Sequence, residues 1–112
     1  MALDVHMVQT TLPSSWIEAF VGEFKLNLIY AGAACVEHQS VHSMYSWEGK
    51  VQSQQEWKVT ATVSQPFLQG LIQAIHRQHP YETPQILSWG IDANMDYCEW
   101  AHQSGFEHLQ KV

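Results

Sequence analysis

From Tyr45 to Val63 the chain alternates apolar and polar residues. Tyr45, Trp47, Gly49 and Val51 fall on one parity and Ser46, Glu48 and Lys50 on the other. The parity resumes with Trp57, Val59, Ala61 and Val63 against Lys58, Thr60 and Thr62. Period-two patterning marks a strand with one buried face, because successive side chains point to opposite faces. The stretch Gln52-Ser53-Gln54-Gln55-Glu56 between the runs is wholly polar. The pattern therefore predicts an antiparallel hairpin over 43–63, turning at 52–56, with Trp47 and Trp57 on its apolar face.

Helical periods flank this hairpin. Ile17, Phe20, Val21, Phe24 and Leu28 form one stripe. Ser15 and Glu18 match a capping box, and Gly32 breaks the helix after Tyr30. Leu68, Leu71, Ile72 and Ile75 form a second stripe, with Ser64 as cap, Pro66 in the first turn and Pro80 as the stop. Short β-rich runs cover Val5 to Thr11, Ala33 to Val36 and Gln85 to Ile91, the last with Leu87, Trp89 and Ile91 on one face. His38 to His42 reads as a bend. A short helix is expected from Met95 to Ser104, ended by Gly105, and the tail 106–112 is uninformative.

The order β-α-β-β-α-β-α over a single domain, 1–112, is that of an α+β, ferredoxin-like βαββαβ sandwich with an extra C-terminal helix. Both long helices would lie on one face of the sheet. Aromatic residues recur in the strands, so the second face calls for a covering surface, and self-association is the economical answer.

Composition narrows the function. A chain that is 46% hydrophobic with five tryptophans is not disordered. Net charge −6 with only five Lys and Arg disfavours nucleic acid and anionic membranes as partners. The N-terminus has neither the basic flank nor the apolar run of a signal peptide or anchor. Two cysteines make no disulfide framework, which suggests reduced thiols and a cytoplasmic setting. The six glycines form no phosphate-binding loop.

Several motifs resemble the CutA (divalent-cation tolerance) family. Ser43-Met44-Tyr45-Ser46-Trp47-Glu48-Gly49-Lys50 resembles its S-x-Y-x-W-x-G-K strand, and His79-Pro80-Tyr81-Glu82-Thr83-Pro84 its H-P-Y-x-x-P crossing. Thr11-Leu12-Pro13, Ala33-Ala34-Cys35-Val36 and Asp96-Tyr97 with Trp100 match further motifs in the same order. The resemblance implies a ferredoxin-like homotrimer in which long hairpins extend the neighbouring sheets. It also implies tolerance of copper or another divalent cation, with no required cofactor and no established catalysis. The chain departs from the pattern where Gln39 to His42 replaces a proline-glycine step. Thr10, Ala74 and Gln78 stand where some bacterial members carry cysteine, cysteine and histidine.

Candidate metal ligands are His79, His76 and Cys35. The two histidines lie three apart at a helix end, and Cys35 supplies a thiol. Each also has a structural explanation, as surface imidazoles and a small buried hydrophobe. A ligand or interface cleft is expected from Tyr45, Trp47, Glu48 and Lys50 facing Tyr81 and Glu82. Two function classes follow, neither an enzyme. One is a copper-responsive trimer holding ions at subunit clefts; the other is a signalling or scaffolding trimer binding a small ligand or partner protein without metal.

Overall fold

The computed structural model describes residues 2–110, with side chains from 4 to 108. The elements are β1 (Ala2–Pro13), α1 (Glu18–Tyr30), β2 (Ala33–Trp47), β3 (Lys50–Ser64), a 3-10 turn (Gln65–Phe67), α2 (Leu68–Gln78), β4 (Leu87–Ala93) and α3 (Met95–Gln110). One four-stranded sheet has the order β2-β3-β1-β4 with every neighbouring pair antiparallel. This is the ferredoxin-like arrangement.

The hairpin differs from the sequence reading in position and length. Its turn is Glu48-Gly49, not 52–56, and Trp47 pairs directly with Lys50. Both turn residues have positive φ, 52° and 77°, as a two-residue turn matched to strand twist requires. The polar stretch 52–56 is strand, paired with 41–45. A two-residue turn reverses the chain without interrupting the apparent alternation, so Tyr45, Trp47, Gly49 and Val51 do not share a face. Trp47 faces the same side as Lys50, and Val51 the side of Ser46. Trp57 lies on the face opposite Trp47. The expected bend at 38–42 is absent, and β2 runs through it with one irregularity between Ala33 and Cys35.

Val8 and Leu12 of β1 and Val59, Ala61 and Val63 of β3 point to one face. Val21, Phe24 and Leu28 of α1 and Leu71, Ala74 and Ile75 of α2 close over them to form the core. Ile17 and Phe20, assigned to the α1 stripe by spacing, are instead 59% and 53% exposed. The helix starts at Glu18 with no side-chain cap, and Ser14 and Ser15 lie in the preceding turn, so the capping box is not formed. Ser64 makes no cap bond either; its Oγ lies 3.4 Å from His102 Nδ1 on α3. Pro80 does end α2, leaving His79 extended.

The last helix has 16 residues and continues through Gly105 to Gln110, while 111 and 112 lie outside the described residues. Gly105 is buried inside it, and a Cβ there would meet the Phe67 ring at 2.6 Å and the Gly32 carbonyl oxygen at 2.7 Å. The glycine thus permits close helix approach and does not terminate anything. By strand parity Val5 and Ser64 point away from Val8 and Val63, yet both are fully buried. With His102 beside Ser64, α3 covers that end of the second face. The rest of this face leaves Tyr45, Trp47, Leu87 and Trp89 between 38% and 54% exposed.

Candidate functional site: the crossing after α2

His79 sits where the chain leaves α2. Its Nε2 is 2.8 Å from the Thr11 carbonyl oxygen and 2.9 Å from Thr10 Oγ1. A carbonyl only accepts, so Nε2 carries the proton. Nδ1 then holds a lone pair and accepts the Tyr81 backbone N–H at 3.1 Å. Burial lowers the His79 pKa below 6.5, and the Thr11 carbonyl and Glu56 oppose that effect while His76 adds to it. The ring is a neutral, tautomer-locked brace between β1 and the crossing.

Tyr81 continues the chain of bonds. Its hydroxyl donates to Glu56 Oε2 at 2.7 Å. Glu56 is only 7% exposed, and pairs with Pro13 of β1 and Val41 of β2. Burial, then the Glu56 bond and charge, raise the Tyr81 pKa above its ordinary value of 10. Thr10, His79, Tyr81 and Glu56 thus link β1, the end of α2 and β3. The phenol is kept protonated as a donor, and the imidazole has both nitrogens committed. This arrangement fixes a rigid segment; it does not present a general base.

The other expected residues are dispersed. His76 is on the exposed side of α2. Cys35 is half-buried, paired with Thr62 near the far end of the sheet. No group of three His, Cys, Asp or Glu suited to a metal ion occurs among the described residues. The donors among the described residues of one chain therefore do not fit a resident ion. Glu82 is exposed beside Tyr81. Glu48 and Lys50 lie at the hairpin tip, about 20 Å along β3 from Glu56. Tyr45 shares the Glu56 face and is electrostatically felt by Tyr81.

Two members of this cluster, Thr10 and Glu56, escaped sequence reading. Glu56 falls in the polar stretch 52–56, whose composition reads as a turn. The Glu48-Gly49 pair between alternating runs was the available signal for the true turn, and it places Glu56 in a strand.

Residues 7–104 match the family model of the CutA1 divalent ion tolerance protein. The chain belongs to the CutA1 family. It is 34% identical over 74 residues to the divalent-cation tolerance protein CutA of Pectobacterium atrosepticum, covering 64% of this chain and 67% of that protein. It is 35% identical over 74 residues to the chloroplastic CutA protein of Arabidopsis thaliana, a match spanning 64% of this chain but only 41% of the relative. The CutA1 structure from Oryza sativa superposes with a TM-score of 0.80 at 28% identity, over 92% of this chain and 96% of that one. The CutA1 match spans both the hairpin and the crossing, so the bonded chain from Thr10 to Glu56 lies within the family's own domain.

Proposed function

We propose that this CutA1 chain works as a homotrimer in the tolerance of divalent cations, copper among them, with ions held at clefts between subunits. The observation that carries the reading is the second sheet face. It presents Tyr45, Trp47, Leu87 and Trp89 to solvent and also carries the buried Glu56 that accepts from half-buried Tyr81. Beyond Glu56, β3 pairs only with β2, so the hairpin ends as a two-stranded ribbon with little burial of its own. Such ribbons are marginal in isolation, and a neighbouring chain is the natural support. Charge-depleted aromatic surface suits an interface core.

Imidazole, thiol and carboxylate groups are scattered in one chain and need a second chain to converge. Exposed His76 and Glu82 are available for that. His79 is not, while its nitrogens stay bonded to Thr11 and Tyr81. The reading is non-enzymatic, in keeping with the commitment of both His79 nitrogens and the Tyr81 hydroxyl to structural bonds. Two thiols are in keeping with a reducing cytoplasm.

The commitment of His79 favours a second reading, a trimer that binds a small ligand or partner protein without metal. Calorimetry with Cu²⁺ and Zn²⁺ separates the two. Stoichiometric micromolar binding that His76→Ala abolishes supports the metal reading. Absence of heat, or heat unaffected by that substitution, supports the second.

A further inference from the structure

Trp16, Phe20 and Phe24 recur every four residues, so their side chains share one side of α1 and the turn before it. The turn holds Trp16 by its backbone. Its N–H donates to the Pro13 carbonyl at 3.1 Å, and its carbonyl accepts Trp57 Nε1 at 3.0 Å. The Trp16 ring meets Phe20 at 88° and Phe24 at 69°, with ring centroids 6.4 and 6.1 Å apart. Rings set near right angles form the corner of a box, their faces turned to the same space. Phe24 is 2% exposed and makes the floor, while the more open Phe20 makes a wall.

This corner is a depression of about 210 Å³, completed by Glu23, Asn27 and Gln78. It is smaller than the roughly 300–1,000 Å³ of sites for drug-sized ligands, so it suits a small headgroup. Asn27 Nδ2 donates to Gln78 Oε1 at 2.8 Å, bridging α1 to α2 and closing one end. Arg77 lines a separate depression beyond that bridge, which leaves Glu23 as the one charged residue lining the corner. Among the described residues no ion pair or hydrogen bond engages Glu23.

The lining selects a cation. Aromatic faces are electron-rich and attract a positive charge within roughly 6 Å of a ring centroid. Centroids 6.1 and 6.4 Å apart let one cation in the corner reach more than one ring. The Glu23 carboxylate adds the same preference. Hydrogen bonding then chooses among cations. A primary ammonium brings three donors. Gln78 is already engaged, its Oε1 by Asn27 and its Nε2 by the Ala74 carbonyl. Few acceptors are left for N–H groups, and a fully methylated ammonium brings none.

We propose that the Trp16–Phe20–Phe24 corner binds a trimethylammonium group, with Glu23 as its counter-ion at the rim. The corner lies on the helix side of the sheet, away from the face offered for assembly, so its test does not depend on the trimer.

Choline is titrated into the labelled full chain at constant ionic strength, and the Trp16 indole N–H signal is followed by NMR. The control is its neutral carbon isostere, in which a tert-butyl group replaces trimethylammonium. Choline should saturate with a Kd at or below about 1 mM, and the isostere should bind at least about fivefold more weakly. Phe20→Leu keeps apolar bulk at an exposed helical position but removes a ring, and Glu23→Gln removes only the charge. Each should weaken choline at least about threefold with Tm preserved, and Glu23→Gln should leave the isostere unaffected. A peptide bearing trimethyllysine, set against the unmethylated peptide, separates the two sources of the group. Tighter binding of the methylated peptide than of choline names a protein side chain, and the reverse names a free metabolite; either is the binding expected. No saturable shift up to about 10 mM choline, equal binding of the isostere, or indifference to both substitutions overturns the proposal.

Discussion

Tyr81 donates its hydroxyl to Glu56 across 2.7 Å, fastening the crossing after α2 to the middle of β3. Removing the donor leaves a carboxylate that is 7% exposed without this bond. Tyr81→Phe should destabilise the protein by about 1–3 kcal/mol in urea denaturation. Glu56→Gln keeps an acceptor for the phenol and should cost less than Tyr81→Phe.

His79 gives stability a pH dependence. Its folded pKa lies below 6.5 because burial disfavours the charged ring, so the unfolded chain binds a proton more readily. The contribution is present above about pH 6.5 and is lost as pH falls through the folded value. Protonation also turns Nδ1 into a donor facing the Tyr81 N–H. A Tm series from pH 8 to 5 should fall on the acid side, and the fall should be shallower in His79→Gln.

Two helical glycines should respond oppositely to alanine. At Gly105 a Cβ collides with the Phe67 ring and the Gly32 carbonyl, so Gly105→Ala should cost about 1–3 kcal/mol despite better helix propensity. At Gly70 nothing lies within 4 Å, so Gly70→Ala should gain about 0.5–1 kcal/mol. Thermal melts of the two variants check both signs.

The element order and the sheet class were legible because helix and strand periods are strong in this chain. Pro80 marked the end of α2 for a local reason, its clash with the residue before it. Failures came where tertiary geometry overrode local signals. Glu48-Gly49 turns the chain in two residues, so alternation ran on undisturbed while the faces exchanged. Gly105 reads locally as a stop, but it serves the approach of α3 to Gly32 and Phe67. In the cluster, His79 and Tyr81 were visible through their motif. Thr10 and Glu56 were not, because they reach that motif only once β1 and β3 are paired.

In the proposed trimer Trp47 and Trp89 are the interface anchors. Each is about half exposed on the second sheet face of one chain, and truncating a tryptophan that assembly buries costs about 3–5 kcal/mol. Trp47→Ala should dissociate the proposed trimer or unfold it, read as a loss of the three-chain mass by light scattering.

The cleft proposed here exists only between chains, and sedimentation equilibrium at micromolar concentration tests that most directly. With a chain mass of 12.8 kDa, the account predicts one stable species of three chains, about 38 kDa. A stable monomer of 12.8 kDa at that concentration would contradict it.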